Sequence, residues 1–113
     1  SAKTEVYMSL VFVNLSDVDL DELPEKEAVY AIFVKSKKSK KPVNCRYVGE
    51  TDNLLGRIKK HYSGREKNEY LKSFMQSDIT KFMIYQLMPN STKKDRLMME
   101  KRCIGTYQPE YNK

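Results

Sequence analysis

The stretch Ala28–Val34, with the sequence AVYAIFV, constrains the fold more than any other part of the chain. A strand with one face in water alternates polar and apolar residues, whereas this stretch has no polar face. It therefore predicts a central β-strand that is covered on both sides. A basic connection and a second predicted strand, Asn44–Gly49, follow it, and we expect the two strands to pair as a hairpin.

Further elements surround this hairpin. Three later segments have apolar residues at helical spacing, and two others are rich in β-branched and aromatic residues. The predicted helices are Leu54–Tyr62, Glu66–Gln76 and Lys93–Tyr107, and the other predicted strands are Val6–Asn14 and Ile79–Met88. Thr92 and Asp95 resemble a capping box at the start of the third helix. Leu15–Glu25 is acidic and is predicted to be a loop.

The length of 113 residues fits one domain, residues 1–113, and no internal repeat or long linker divides it. A formal net charge of +6 favours polyanionic partners, which are nucleic acid or an anionic membrane surface. No stretch approaches the roughly 20 apolar residues that span a bilayer. No signal peptide is visible, and Cys45 and Cys103 lack metal-type spacing, so we expect a cytoplasmic protein with reduced thiols.

Glu100 is the first candidate for chemistry. Residues three and four apart share a helix face, so Glu100 lies in the middle of an apolar stripe on the third helix. The stripe consists of Leu97, Ile104 and Tyr107. A carboxylate on such a face is costly unless it is paired or bound to a metal. The pattern leaves two interpretations open: a metal ligand, or a Glu at the stripe edge that extends its carboxylate to solvent or pairs with a nearby Arg.

Arg57 and His61 are four residues apart on the predicted first helix, so their side chains project together. A guanidinium suits a phosphate because its fork can donate to two oxygens at once. The plainer alternative is a surface Arg beside a surface His whose hydrogen bonds are satisfied. Because His61 is the only histidine, a metal site built from histidines is excluded.

Tyr30 and Tyr47 lie on the two strands of the predicted hairpin. Tyrosines are common in strands, so neither residue alone indicates a function. Gly49 ends the second predicted strand, where a missing side chain lets another backbone or a ligand come close.

Taken in order, these residues resemble the signature of the GIY-YIG nuclease family. Ala28-Val29-Tyr30 stands where the family has GIY, and Tyr47-Val48-Gly49 stands where it has YIG. The later positions of the signature correspond to Arg57, His61, Glu100 and Asn112. Each short motif is weak, but six elements in the right order make a strong signal.

The chain departs from that signature in three places. Ala28 replaces the first Gly, and the connection between the two tyrosines is longer than usual because of a lysine-rich loop. Glu50 stands where some relatives have Lys or a small polar residue. An acid beside the scissile phosphate would either weaken DNA binding or help to hold a metal ion.

The resemblance implies an α+β fold: a small antiparallel β-sheet of about three strands flanked by helices. On this basis residues 27–112 form the nuclease core, and residues 1–26 form an N-terminal extension. The strand in that extension, Val6–Asn14, is expected to add to the sheet or to contact a partner. Asn112, after the last helix, would order the site from behind.

The resemblance also implies hydrolysis of DNA phosphodiester bonds with one divalent metal ion, Mg²⁺ or Mn²⁺. Glu100 would hold the metal ion, and Arg57 would stabilise the scissile phosphate as charge builds on it. One of Tyr30 and Tyr47 would act as general base or position the attacking water, and the choice between them stays open. His61 would carry a proton or donate to the phosphate.

Lysines crowd the connection between the hairpin strands. They are Lys35, Lys37, Lys38, Lys40 and Lys41. Beside a nuclease site they become candidate contacts to the DNA backbone, as does Lys60 on the first helix; the alternative is a solvated loop tip. Two other functions stay open, a non-catalytic DNA-binding module and a protein-interaction domain on the same fold. The sequence also leaves the oligomeric state open.

Overall fold

The computed structural model describes residues 10–35 and 42–112. Within them lie four strands and three helices. In chain order these are β1 (Val11–Asn14), β2 (Ala28–Lys35), β3 (Pro42–Thr51), α1 (Leu54–Tyr62), α2 (Glu69–Gln76), β4 (Lys81–Leu87) and α3 (Lys93–Tyr107). The loop before β2 contains one 3₁₀ turn, Leu20–Glu22.

The four strands form one antiparallel sheet in the order β1-β4-β2-β3. Ala28 at the start of β2 pairs with Thr51 of β3 on one side and with Leu87 of β4 on the other. The predicted hairpin and the additional N-terminal strand are therefore confirmed. Together with the three helices, they give the expected α+β fold.

Both faces of β2 are buried, as its lack of a polar face predicted. Side chains alternate across a strand, so Tyr30 and Ile32 face one side of the sheet while Ala31 and Phe33 face the other. The first pair packs in a core cluster with α1 and α2, and the second pair packs in another with Cys103, Ile104 and Tyr107 of α3. The sheet therefore lies between α1 and α2 on one face and α3 on the other.

Side-chain caps fix where the helices begin. Asn53 caps α1 by accepting a hydrogen bond from the Gly56 backbone at 3.0 Å, and Asn68 caps α2 in the same way. Thr92 and Asp95 form the predicted capping box of α3. Each cap satisfies backbone N–H groups that the first helical turn leaves without partners.

Several predicted bounds were wrong. β3 does not end at Gly49 but continues to Thr51, because its pairing with β2 runs on to Ala28. α2 begins at Glu69 rather than Glu66, since Glu66 is bonded to other groups in the loop before it. β4 begins at Lys81, not Ile79, and β1 covers only Val11–Asn14 of the predicted first strand. Residues 6–9 of that prediction lie outside the described residues.

The predicted apolar stripe of α3 was wrong at its N-terminal end. Leu97 is 44% exposed, whereas the neighbouring Arg96 is only 7% exposed. The buried face of α3 therefore begins with a charged residue and continues through Glu100 toward Ile104. Arg96 is tolerated there because its guanidinium is hydrogen-bonded to a carboxylate and to a backbone carbonyl.

Two further sequence expectations can be compared with the structure. Cys45 and Cys103 are free thiols, as expected. In the part of the chain that the structure describes, no helix combines the length and the apolar character that crossing a bilayer requires.

Candidate active site

The Tyr30 ring lies directly over Gly49, in the neighbouring strand. A Cβ atom on residue 49 would lie 2.5 Å from the Tyr30 hydroxyl oxygen, a distance that real atoms do not tolerate. Gly49 was expected to let a backbone or a ligand come close, and the group that comes close is this tyrosine side chain. The glycine therefore lets the Tyr30 hydroxyl reach across β3 toward α1.

A chain of two hydrogen bonds starts at that hydroxyl. The Tyr30 oxygen lies 2.6 Å from Nε2 of His61, and Nδ1 of His61 lies 2.6 Å from a carboxylate oxygen of Glu66. Tyr30 and His61 are 2% and 1% exposed. The alternative of a surface histidine is therefore wrong: His61 is buried, and both of its ring nitrogens have partners.

Burial determines which of these three hydrogen-bonded side chains carry a proton. Burial raises the pKa of Tyr30 well above its usual value, so Tyr30 keeps its proton. Burial also lowers the pKa of His61, although Glu66 opposes the shift, so the imidazole is neutral at pH 7. Burial raises the pKa of Glu66, but hydrogen bonds from Asn68 and His61 outweigh it and leave the pKa lowered. The hydroxyl therefore donates to Nε2, and Nδ1–H donates to Glu66.

Tyr47 completes an aromatic cluster with these two residues. Its ring centre lies 6.1 Å from that of Tyr30 and 5.4 Å from that of His61, against which it packs edge-on. Tyr47 is only partly buried, so its ring borders both the cluster and solvent. Burial raises its pKa, and the charge of Arg57 opposes that shift.

Arg57 lies one turn before His61 on α1 and is partly buried. Its positive charge partly offsets the rise that burial causes in the pKa of Tyr30, of Tyr47 and of Glu100. Arg57 shares a helix face with His61, whose ring packs against both tyrosines. The structure thus brings together an arginine and a histidine of α1 and the two strand tyrosines.

Glu100 meets this group from the opposite face of the sheet, on α3. Burial and the nearby charge of Glu50 raise its pKa, while the backbone N–H of Glu50 donates to its carboxylate. In residues 10–35 and 42–112, no three His, Cys, Asp or Glu side chains cluster as a metal cage would require. A single half-buried carboxylate still suits Mg²⁺, which usually keeps several waters and binds one or two carboxylates together with substrate phosphates.

Glu50 is itself held by two cations of α3. Its carboxylate accepts a hydrogen bond from Nε of Arg96 at 3.0 Å, and Nζ of Lys93 lies 3.8 Å away. Arg96 also donates to the carbonyl of Ser91 at 2.8 Å. Because Glu50 is neutralised in this way, the acid that departs from the family signature does not lie unpaired beside the site. Sequence reasoning missed Arg96, because an Arg next to a Leu at the edge of a stripe normally lies in solvent.

Asn112 clamps β3 between Tyr47 and Gly49. Its amide oxygen accepts from the backbone N–H of Val48 at 2.8 Å, and its amide nitrogen donates to the carbonyl of the same residue at 2.7 Å. β3 is an edge strand, so this side chain pairs backbone groups that a further strand would otherwise pair. The backbone carbonyl of Tyr111 accepts a hydrogen bond from the Asn68 side chain at 2.8 Å, which ties this segment to the loop that carries Glu66.

Of the lysines predicted to contact DNA, the structure describes only two, Lys35 and Lys60. Lys60 is exposed on α1, and Lys35 ends β2. The other four, Lys37, Lys38, Lys40 and Lys41, lie outside the described residues. Glu66 was not predicted at all. Its position two residues after Ser63-Gly64, which break the helix, gives no signal in the sequence, since only the fold brings it to His61.

The comparison with known sequences identifies a family. A sequence profile described as the GIY-YIG catalytic domain matches residues 26–112. The chain is similar to UvrABC system protein C from Thermoanaerobacter sp., with 31% identity over 90 residues, which are 80% of this chain and 13% of that protein. It is also similar to UvrABC system protein C from Methanosphaera stadtmanae, with 27% identity over 92 residues, which are 81% of this chain and 14% of that protein. The chain thus spans about one seventh of the length of these relatives.

Solved structures share the fold of this chain. The N-terminal endonuclease domain of UvrC from Thermotoga maritima, a point mutant bound to its catalytic divalent cation, superposes with a TM-score of 0.56 at 16% identity. The match covers 83% of this chain and 90% of that one. The same domain bound to magnesium gives a TM-score of 0.52 at 17% identity, over 83% of this chain and 91% of that one. At this identity the structural likeness shows the fold alone. The family profile matches most of the chain, so the protein belongs to the GIY-YIG family.

Proposed function

We propose that this chain is a divalent-metal-dependent endonuclease that hydrolyses phosphodiester bonds of DNA with a single metal ion. One observation carries the proposal: the Tyr30 hydroxyl lies over Gly49 and is hydrogen-bonded to His61, one turn after Arg57, while the Glu100 carboxylate accepts the backbone N–H of Glu50, the residue after Gly49. A phosphate ligand, a group able to accept a proton and a carboxylate for a metal ion therefore converge at one place. This set is what hydrolysis of a phosphodiester requires.

In this proposal Glu100 holds Mg²⁺, or Mn²⁺ in its place. When bound, the metal ion supplies a Lewis acid beside the phosphate oxygens. Arg57 donates to the scissile phosphate, and its charge is worth most as negative charge develops in the transition state. Asn112 acts from behind, by keeping Tyr47 and Gly49 in register through its clamp on Val48.

The two tyrosines take different roles. The Tyr30 hydroxyl has an acceptor for its proton in His61, so it can pass a proton on without becoming a buried anion. Tyr47 has the more exposed ring of the two, which suits it to orient the attacking water. Tyr30 is therefore the stronger candidate for the general base, with His61 as its proton acceptor.

We propose that DNA is held outside the site by cations. The net charge is +6, Lys60 is exposed on the helix that carries Arg57, and four lysines lie in the loop between β2 and β3. Contacts of this kind neutralise phosphates without reading the base sequence. The cytoplasm, where DNA and reduced thiols occur together in prokaryotes, remains the predicted compartment.

Glu100→Gln tests the proposal. The change keeps the shape of the side chain but removes its charge, so plasmid nicking in Mg²⁺ or Mn²⁺ should fall to background while DNA binding is kept or improves. The melting temperature should change little, since an amide is cheaper than a charge at a half-buried position. Glu25→Gln, at an exposed loop position, is the control for charge loss. A stable variant that nicks at the wild-type rate would remove Glu100 from the site.

A protein-interaction module is the second candidate. It is favoured by Leu10 and Phe12, which are 59% and 51% exposed at the edge of the sheet formed by β1. Light scattering of the chain over a range of concentrations tests self-association through this edge. A monomer at all concentrations, together with nicking that depends on Glu100, favours the endonuclease.

A further inference from the structure

Glu66 lies in the loop between α1 and α2, outside the residues that resemble the family signature. Its side chain is only 13% exposed, and both carboxylate oxygens are engaged. One oxygen lies 2.6 Å from Nδ1 of His61, and the other accepts the backbone N–H of Asn68 at 2.9 Å. The hydrogen bond from Asn68 holds the Glu66 carboxylate in place, so its other oxygen stays directed at His61.

This geometry selects one protonation pattern for His61. A neutral imidazole has one nitrogen that donates and one that accepts, and a carboxylate can only accept. The proton must therefore lie on Nδ1, which leaves Nε2 as the acceptor for the Tyr30 hydroxyl. With the other tautomer, Nδ1 would present a lone pair to the Glu66 oxygen at 2.6 Å. Glu66 thus determines on which side of the ring the histidine can take up a proton.

We infer that Glu66 is a positioning residue of the nuclease site: it orients His61 so that Nε2 accepts the proton of Tyr30 while Tyr30 takes a proton from the attacking water. The inference rests on the proposed function. It extends the site by one residue. It also accounts for the burial of His61, since bulk water would compete with the Tyr30 hydroxyl for the lone pair of Nε2.

One proton passes from the attacking water to His61 through Tyr30. The water oxygen bonds to phosphorus while one of its protons moves to the Tyr30 oxygen and the Tyr30 proton moves to Nε2 of His61. The bond from phosphorus to the leaving oxygen breaks, and that oxygen takes a proton from solvent. His61 is then an imidazolium held by the Glu66 carboxylate, and it returns its proton through Tyr30 to solvent before the next turnover.

Other groups around His61 act against this imidazolium or are neutral toward it. Arg57 and Lys60 of α1 lower the pKa of His61, and so does burial, which is the largest effect. Tyr47 packs edge-on against the ring and carries no charge at pH 7. Glu66 is the group that opposes these effects and raises the pKa. Its removal should therefore make proton transfer to His61 less favourable, with the loss appearing in the rate and not in substrate binding.

Nitrogen NMR of the imidazole gives the first test. His61 is the only histidine, so its two ring nitrogens are assigned without mutants. The wild-type protein without DNA should show a protonated Nδ1 and an unprotonated Nε2 at pH 7. A wild-type protein whose proton lies on Nε2 overturns the inference. This readout does not depend on nuclease activity or on the folding of any variant.

Kinetics of Glu66→Gln give the second test. With supercoiled plasmid and Mg²⁺, kcat should fall by about 10² or more, as expected when a general base is impaired, while KM is unchanged. Glu66→Asp, which keeps the charge, should recover part of the rate. Glu69→Gln is the matched control, since Glu69 is an exposed glutamate three residues further along, and its kcat should stay at the wild-type value.

The two possible failures can be told apart. Suppose that the wild-type protein nicks DNA and that a folded Glu66→Gln variant has the same kcat and pH dependence. That result overturns the inference and leaves the proposed function standing. A wild-type protein that nicks no DNA overturns the proposed function, and the catalytic part of this inference with it. Melting curves of each variant show whether a reduced rate reflects an unfolded protein.

Discussion

Gly49 is required by the position of a neighbouring ring and not by its own backbone. Its φ angle is not among the positive values, which within the described residues are found at Asn44, Gly64, Asn90 and Gln108. What excludes a side chain is the Tyr30 hydroxyl, 2.5 Å from where a Cβ would lie. Gly49→Ala should therefore displace Tyr30 and break its hydrogen bond to His61. We expect a loss of about 1–3 kcal/mol in stability, which is typical of overpacking, and a large loss of nicking rate.

Gly105→Ala is the matched control for that prediction. Gly105 lies inside α3, and a Cβ there would meet no atom within 4 Å. Alanine is a better helix former than glycine, so this variant should gain about 0.5–1 kcal/mol. Thermal melting and plasmid nicking of both variants decide the matter. Equal melting temperatures and equal rates would show that the site can accommodate a methyl group at residue 49.

Arg57→Ala should lower the turnover rate far more than the affinity for DNA. Arg57 lies one turn before His61, which is hydrogen-bonded to Tyr30, so the proposed mechanism puts its guanidinium at the reacting phosphate. Loss of one donor to a developing negative charge costs about 10²–10³ in rate at comparable sites. Single-turnover nicking and a filter-binding assay separate the two effects. A variant that binds weakly yet turns over normally would make Arg57 an ordinary phosphate anchor.

A buried ion pair between Arg96 and Glu50 joins α3 to the end of β3. Arg96 and Glu50 have side chains that are 8% and 9% exposed, and their contact fixes the helix that carries Glu100 against the strand that carries Tyr47. Arg96→Met would leave the Glu50 carboxylate buried with only the distant amine of Lys93 beside it. Removing one partner of a buried pair costs about 3–5 kcal/mol.

Chemical denaturation measures that cost. Arg102→Met changes an exposed arginine on the same helix and should alter stability by no more than about 0.5 kcal/mol. The double variant Arg96→Met with Glu50→Gln removes both charges and should recover much of the stability. If Arg96→Met is as stable as Arg102→Met, the ion pair does not hold the helix to the strand.

The sequence predicted those elements whose pattern is set within the element. β2 has no polar face, so its central place in the sheet followed from the segment Ala28–Val34 alone. α2 was placed three residues too early, because the contacts of Glu66 with His61 and Asn68 come from the fold. Leu97 was assigned to the buried face of α3 for a related reason. An apolar residue is normally preferred there, and only the carboxylate supplied by β3 makes the burial of Arg96 tolerable.

In the candidate site too, the sequence predicted the residues of the motifs but not the partners that the fold brings to them. Tyr30, Tyr47, Arg57 and Glu100 were named from the order of motifs. The structure packs both tyrosines against His61, on the helix of Arg57, and Glu100 accepts a hydrogen bond from the backbone of Glu50 in β3. Their partners could not be named, because partners are determined by distance in space and not by spacing in sequence. Glu66 is the clearest case: it contacts a histidine five residues earlier that in turn contacts a tyrosine on another element.

The excess of positive charge on the protein is the property that bears on DNA binding. Part of the net charge of +6 comes from the loop between β2 and β3, which holds Lys37 and Lys38. Each lysine that neutralises a DNA phosphate releases counterions, so binding weakens as salt rises. Replacing both lysines with Gln should reduce the slope of log K against log salt by up to about 0.9 for each duplex DNA phosphate that the protein no longer neutralises.

A second pair of charges separates direct contact from net charge in that experiment. Lys101 and Arg102 are exposed on α3, and replacing both with Gln lowers the net charge by the same amount. If the loop contacts the DNA backbone, the loop variant should show the smaller salt slope, while the α3 variant keeps a slope close to that of the wild-type protein. Equal slopes in the two variants would mean that net charge alone attracts DNA and that the loop is a solvated tip. Because neither pair lies in the proposed site, the single-turnover rate at saturating protein should be unchanged in both.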